Sequence, residues 1–200
     1  MEQQKRSARS RKIILAAALK LFSSQGFRAT RTREIADAAG VSIGAVYHQF
    51  PDKEDIFRTL LDEFWEAIGS REFPFYEAML NGAFPDDLLG LGHAARESVK
   101  KYRRHIALIY VDVIEFEGHH IKRFYQQMVT RFQHVLDQFP ENNKKLRAGV
   151  SPLTAAILVS RLMLYFYSVV YVFKVPNHFG KDEETVLREI VGILEHGIKK

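Results

Sequence analysis

The stretch GFRATRTREIADAAGVSIGAVYHQFPDKEDIF, residues 26–57, decides the fold of this chain. It predicts two short helices, over residues 32–39 and 43–49, separated by a glycine. Gly40 has the backbone freedom that a sharp turn requires. Ser42 is a good N-cap for the second helix, and Pro51 ends that helix.

The faces of these two helices indicate how they pack. On the second helix, Ile43 and Val46 are expected to point inward together with Phe50. The opposite side would expose Gly44, Tyr47 and His48. A bracing helix, a tight turn and a short helix with an exposed polar face are typical of a helix-turn-helix, which places its second helix in the DNA major groove.

The distribution of charge supports DNA binding. Residues 1–60 contain eleven Lys/Arg and six Asp/Glu, whereas residues 61–200 contain eighteen of each. The formal net charge of +5 therefore lies entirely in the N-terminal part. A basic module attached to a neutral body suits contact with a phosphate backbone.

Residues 26–57 resemble the DNA-binding signature of TetR-type transcriptional repressors, over about one sixth of the chain. The resemblance implies an all-α fold in two parts: an N-terminal three-helix DNA-binding module and a C-terminal helical bundle for ligand binding and dimerisation. The matching positions are Gly26, Phe27, Ala29, Thr30, Glu34, Ile35, Ala36, Ala39, Gly40, Val41, Ser42, Gly44, Tyr47, Phe50, Lys53 and Glu54.

Three positions depart from the family pattern. Arg31 stands where the family usually has Thr or Ser as the cap of the bracing helix, so either Thr30 or Thr32 caps the helix instead or the helix start shifts. Ala45 and Gln49 also differ from the residues common in the family, so details of operator recognition do not carry over at those two positions.

The resemblance implies DNA contacts for a defined set of residues. Tyr47 and Lys53 match positions that touch the phosphate backbone in the family, and both are expected on the exposed side. Gly44 would let the backbone approach DNA closely. Further phosphate contacts are expected from Arg31, Thr32 and Arg33, and base contacts from Ser42, Ile43, Ala45 and His48.

Composition narrows the class of protein. There is no cysteine, so disulfides and thiolate metal sites are excluded. The N-terminus lacks the apolar stretch of a signal peptide. The longest apolar run, residues 162–173, is shorter than the ~20 residues that a membrane span needs. A soluble cytoplasmic protein without membrane association is expected.

The periodicity of apolar residues predicts helices throughout the remainder. After a loose basic arm over residues 1–8, helices are expected over residues 9–24, 87–104, 106–116 (apolar on almost every side and therefore central), 119–139, 153–173 and 182–199. The segment 164–173 could also pass for a strand. The predicted domains are a DNA-binding domain over residues 1–51 and a ligand-binding and dimerisation domain over 52–200, with helix 52–68 as the connection.

The body predicts a ligand cavity and a dimer. A small apolar or amphipathic effector, such as a fatty acyl compound or a flat aromatic drug, would suit an aromatic interior. A homodimer is expected through residues 153–173 and 182–199. The candidate ligand-binding residues are Tyr102, Val111, Ile114, Phe124, Tyr125, Met128, Arg161 and Tyr165.

Nothing in the sequence indicates catalysis, a metal or a cofactor. His119 and His120 are adjacent, and neighbouring helical residues point about 100° apart, so they are expected to form a polar junction rather than a metal site. The alternatives are an α-helical small-molecule-binding protein or enzyme with an incidental basic N-terminus, and an architectural DNA-binding protein without an effector.

Overall fold

The structure is a computed structural model that describes residues 2–199, with the side chains of residues 6–199. Over this range the regular structure is entirely helical, which confirms the all-α prediction. The helices are α1 (Glu2–Gln25), α2 (Thr32–Ala39), α3 (Ile43–Gln49), α4 (Lys53–Ile68), α5 (Pro74–Leu80), α6 (Leu88–Glu115), α7 (Ile121–Asp137), α8 (Pro140–Asn143), α9 (Pro152–Tyr171) and α10 (Glu183–Ile198).

The chain divides into two compact units. The first unit comprises the residues up to Trp65 together with Arg104–Lys122, and the second comprises Glu66–Arg103 and the residues from Arg123 onward. The last turns of α6 thus belong to the same unit as the predicted helix-turn-helix. The predicted domain boundary after residue 51 rests on sequence similarity rather than on compactness, and it stays a prediction.

The first unit has a core built around aromatic rings. Phe22 of α1, Phe57 of α4 and Phe116, just after α6, all contact Phe27 with ring centres 4.7–5.5 Å apart. Edge-to-face and offset pairs of this kind add about 1 kcal/mol each to the burial of their area. This aromatic cluster fixes the loop that leads into α2.

The second unit buries the inner faces of α6, α9 and α10. Leu91, Met163, Tyr167 and Leu187 are completely buried. Side chains cap the N-termini of α9 and α10: Ser151 accepts from the Thr154 amide, and Asp182 accepts from the Glu184 and Thr185 amides. Local capping chemistry therefore sets both helix starts.

The segment that could pass for a strand is the second half of α9. Among the described residues, α9 is also the one helix long and apolar enough to cross a membrane, although half of it is buried inside the chain. A buried helix in the core of a protein can have the same length and apolar composition, so these features of α9 are weak evidence for a membrane span. Its exposed apolar residues are Leu158, Leu162 and Tyr165, which follow one another at helical spacing.

Two local expectations were wrong, and a third is confirmed in part. The predicted basic arm over residues 1–8 is helical from Glu2, since α1 continues through it; Met1 lies outside the described residues. The two helices predicted over 87–104 and 106–116 follow one another within α6, which has a kink with non-helical dihedral angles at Tyr102, close to the predicted break. The last turns of α6 are not central on all sides, because Val113 and Ile114 are exposed.

Candidate nucleic-acid interface

Helix α3 is positioned by its N-cap and by the turn that precedes it. The Ser42 hydroxyl accepts a hydrogen bond of 3.1 Å from the Ala45 amide. Gly40 adopts the left-handed conformation, with φ of 66°, that closes α2 and turns the chain into α3. Val46 and Phe50 are buried, so they fix the inner face of the helix.

The outer face of α3 carries large side chains in solvent. Tyr47 is 53% exposed and Ile43 is 46% exposed, and Gly44 and His48 are exposed beside them. The expectation that Ile43 points inward was wrong: Val46 and Phe50 occupy the core side, and Ile43 extends the outer face. An apolar and aromatic surface on a short helix in a basic module is suited to contact with another molecule.

The start of α2 differs from the predicted cap. Arg31 itself occupies the N-cap position, and its backbone amide donates 2.7 Å to the Glu34 carboxylate. A guanidinium has no acceptor atom, so the Glu34 side chain supplies the bond at this end. Thr30 is completely buried, and its hydroxyl donates 2.7 Å to the Gly26 carbonyl. Thr30 therefore stabilises the loop before α2 and does not cap α2.

Lys53 occupies a different environment from the one expected. Its ammonium donates 2.7 Å hydrogen bonds to the carbonyls of Phe27 and Thr30 and lies 4.1 Å from the centre of the Phe27 ring. The side chain is half-buried, and this burial lowers the pKa of Lys53 below its ordinary value, with Glu115 and Glu34 opposing the shift. Its expected position on the exposed side was wrong, because the carbonyls of Phe27 and Thr30 bind the ammonium.

The same loop is held from its other side by Glu115, at the end of α6. Its carboxylate accepts from the amides of Phe27 at 2.9 Å and Arg28 at 2.7 Å. The Arg28 guanidinium also donates 3.3 Å to the Glu115 carbonyl. Residues 26–30 are therefore fixed by a cation on their carbonyls and an anion on their amides. Sequence reasoning missed Glu115, since the two partners lie almost ninety positions apart.

The remaining predicted DNA-contact residues are accessible to different degrees. Arg31, Arg33 and Ser42 are exposed, while Thr32 and Ala45 are half-buried. Arg31 and Arg33 flank the first turn of α2, on the same short module as the outer face of α3. Their role in phosphate contact stays a prediction.

The predicted ligand-binding residues are divided between the two units. Val111 and Ile114 lie in the first unit, and the others lie in the second. Tyr102 is buried, and Val111, Phe124 and Met128 are half-buried. Arg161 is exposed, with its guanidinium carbon 5.6 Å from the centre of the Tyr125 ring.

The expected interior position was wrong for three of these residues. Ile114, Tyr125 and Tyr165 are 77%, 48% and 59% exposed. On α6, Leu108 and Asp112 share the buried face, and Ile114 lies about 200° around the helix from Asp112. A helical wheel gives the spacing of side chains around α6 but not the elements that cover them, so the sequence did not indicate which face is buried.

The histidine pair after α6 has a structural partner. His120 Nδ1 lies 2.6 Å from a carboxylate oxygen of Asp112, which is completely buried and also accepts 3.0 Å from the Ile121 amide. The His119 and His120 rings are perpendicular. Among the described side chains, no group of three or more His, Cys, Asp or Glu is arranged to hold a metal ion.

Comparison with known proteins gives a family match for the N-terminal segment. Residues 14–60 match the family described as bacterial regulatory proteins, tetR family. The chain is 38% identical over 119 residues to the HTH-type transcriptional regulator AcrR of Shigella flexneri, covering 54% of this chain and 51% of AcrR. It is 34% identical over 109 residues to the HTH-type transcriptional repressor KstR2 of Mycobacterium tuberculosis, covering 54% of this chain and 52% of KstR2. The chain thus spans about half the length of the curated relatives it matches.

Solved structures extend the likeness of the fold along the chain. A TetR-family regulator from Mesorhizobium loti superposes with a TM-score of 0.67 at 21% identity, over 98% of this chain and 99% of that one. NalD, the secondary repressor of the MexAB-OprM multidrug efflux pump in Pseudomonas aeruginosa, superposes with a TM-score of 0.64 at 21% identity, over 100% of this chain and 99% of NalD. At such low identity these structures show the fold. Together with the family match, they confirm the resemblance to TetR/AcrR-type regulators.

Proposed function

Because residues 14–60 are a TetR-family DNA-binding domain, we propose that the chain is a ligand-responsive transcriptional repressor that acts in the cytoplasm as a homodimer. The outer face of α3 would enter the major groove of an operator. A small, largely apolar effector bound by the helical body would release the protein from DNA. No catalytic step is assigned to it.

The outer face of α3 is the single observation that carries this proposal. Tyr47 and Ile43 are about half exposed there, while Val46 and Phe50 anchor the opposite side in the core. Two arginines, Arg31 and Arg33, stand exposed at the start of α2. Proteins that bind specific DNA sequences contact base edges through hydrogen bonds and apolar groups and contact phosphates through cations.

Support for the dimer comes from α9 and α10. Leu158, Leu162 and Tyr165 expose a stripe along α9, and Ile193 on α10 is 74% exposed. A Cβ built on Gly192 or Gly197 meets no neighbouring atom, so a second helix can approach closely at both positions. Covering such a stripe by a second copy would remove apolar area from water. Two copies present two recognition helices, which suits half-sites about 34 Å apart.

The effector proposal rests on the aromatic composition of the second unit. Half-buried Phe124 and Met128 on α7 and buried Tyr102 on α6 combine apolar rings and a thioether with few charges. Groups of this kind suit an apolar or amphipathic molecule.

Selection of bound fragments from a genomic DNA library, followed by gel shift, tests the function. The intact protein should enrich sites with two inverted half-sites, and a variant with Tyr47→Ala and His48→Ala should enrich none. A panel of fatty acyl compounds, flat aromatic compounds and sugars is then scored for release from the selected DNA. Enrichment of the same fragments by the double variant would contradict the assignment of α3, and release by sugars alone would contradict the apolar effector.

A further inference from the structure

A cleft of about 460 Å³ opens in the first compact unit, away from the outer face of α3. One wall is α1, the opposite wall is α4, and His105 of α6 closes one side. Its lining residues are Ala8, Arg11, Lys12, Leu15, Ala16, Leu19, Leu60, Glu63 and His105. The volume lies within the range of about 300–1,000 Å³ that is usual for small-molecule sites.

The sequence of α1 explains why the cleft is open. Ala8, Lys12, Leu15, Ala16 and Leu19 recur at helical spacing, so they form a single stripe. Ala8 and Ala16 are exposed, and their methyl groups are too short to fill the space against α4. Leu15 and Leu60 are buried and form an apolar floor. The cleft therefore offers a flat apolar surface rather than a water-filled polar cavity.

The polar groups around this floor define the charge of a suitable ligand. Two cations, Arg11 and Lys12, stand against one carboxylate, Glu63, which leaves a net charge of +1. His105 adds no charge at neutral pH, because burial lowers its pKa to about 4. Its ring stacks on Phe64 with centres 5.3 Å apart, so the imidazole is held in place and can hydrogen-bond in its neutral form.

Arg11 joins the cleft to the recognition helix. Its guanidinium donates 3.3 Å to the carbonyl of Gln49, the last residue of α3, and lies 4.3 Å from the centre of the Phe50 ring. A molecule that packs against α1 in the cleft therefore touches the residue that holds the end of α3. One side chain thus contacts both the cleft and the end of α3.

We propose that this cleft binds a small amphipathic monoanion, an aliphatic or flat aromatic body carrying one carboxylate or sulfonate, and gives the DNA-binding unit a ligand site of its own. The apolar body lies on Leu15 and Leu60, and the anionic end pairs with Lys12. Occupancy shifts the equilibrium between arrangements of α1 and α3 and thereby changes operator affinity. The effect on operator affinity rests on the proposed function, whereas binding in the cleft does not.

Binding is tested with anilinonaphthalene sulfonate, a fluorescent flat aromatic monoanion, in competition with octanoate and with octylamine of the same chain length. The full-length protein should bind the probe saturably, and octanoate should displace it far better than octylamine. Ala16→Phe fills the cleft and should weaken the displaceable component at least about tenfold, whereas Ala16→Ser keeps the cleft open and should bind as the parent does.

Two exposed lysines on α1 provide a matched pair for the charge. Lys12→Gln should weaken octanoate binding about threefold, the usual scale of one exposed ion pair, and Lys20→Gln, which lies outside the cleft, should leave it unchanged. Lys12→Gln reports on the charge contact even if Ala16→Phe does not fold, because the Lys12 side chain is exposed. Equal binding by Ala16→Phe and Ala16→Ser, equal competition by octylamine, or equal losses at Lys12 and Lys20 would each overturn the proposal.

The regulatory step has a separate readout. Octanoate should change the affinity of the parent protein for selected operator DNA and should have no effect on Ala16→Phe. If octanoate binds in the cleft and operator affinity does not move, the coupling through Arg11 is wrong. If the parent protein binds no specific DNA at all, the proposed function fails while the binding result stands.

Discussion

The ammonium of Lys53 donates a 2.7 Å hydrogen bond to the carbonyl of Phe27 and lies 4.1 Å from the centre of the ring of that same residue. Lys53 is the first residue of α4, where a positive charge is unfavourable to the helix dipole. Loop carbonyls and the face of an aromatic ring offset this cost. A residue whose sequence context indicates phosphate contact thus stabilises the loop that precedes the recognition module.

Lys53→Ala should therefore destabilise the protein. Loss of two hydrogen bonds from a charged donor and of its contact with Phe27 is expected to lower the free energy of unfolding by about 1–2 kcal/mol. Urea denaturation followed by circular dichroism measures this, with Lys20→Ala on the exposed surface of α1 as the control. An unchanged unfolding midpoint with a large loss of DNA affinity would restore the phosphate-contact interpretation.

Glu115→Gln should weaken the anchor of the same loop. The carboxylate is 16% exposed and accepts from two backbone amides, and a neutral amide can replace only part of that interaction. A loss of about 1–3 kcal/mol in unfolding free energy is expected, together with weaker operator binding. Glu117→Gln, two residues on and exposed, serves as the control.

Gly26→Ala tests the contact between Glu115 and the loop by adding a methyl group to the loop backbone. Gly26 has φ of 88°, and a Cβ there would lie 2.6 Å from a carboxylate oxygen of Glu115. The substitution should displace Glu115 and destabilise the first unit by more than about 1 kcal/mol. Equal stability of this variant and the parent protein would show that the loop does not depend on the Glu115 contact.

His105 should make stability depend on pH. Burial lowers its pKa to about 4 from 6.5, so the unfolded chain binds this proton more readily than the folded chain does. The contribution to stability is complete above about pH 6.5 and is lost as the pH falls toward 4. Between pH 7.5 and 5 it amounts to about 2 kcal/mol. His105→Gln should reduce the difference in unfolding free energy between these pH values by about that amount, and an identical pH dependence would contradict it.

Leu162→Glu combined with Ile193→Glu should convert a dimer into a monomer. Both side chains are exposed on the proposed interface, so the monomer fold should survive while the buried contact between copies becomes charged. Light scattering at micromolar concentration measures the change. Val129→Glu on α7, which is 45% exposed, is the control. Retention of the dimer by the double variant would place the interface elsewhere.

The bounds of α2 and α3, the glycine that closes α2 and the N-cap of α3 were predictable from the sequence because their causes are local. Gly40 closes one helix and Ser42 opens the next with hydrogen bonds to residues at most four positions away. The exposure of Tyr47 and the burial of Val46 followed from helical periodicity combined with the resemblance to TetR-type regulators. The concentration of positive charge in the N-terminal part is evident from the numbers of Lys, Arg, Asp and Glu alone.

The contacts of Lys53 and Glu115 could not be read from the sequence, since each joins segments far apart in the chain. Sequence similarity assigned Lys53 to the DNA surface, but its ammonium binds the loop carbonyls of Phe27 and Thr30. Ile114 has the apolar character of a core residue, yet packing buries the opposite face of α6. Periodicity indicates that a helix has a buried face, and only the neighbours that cover it in three dimensions decide which side chains that face contains.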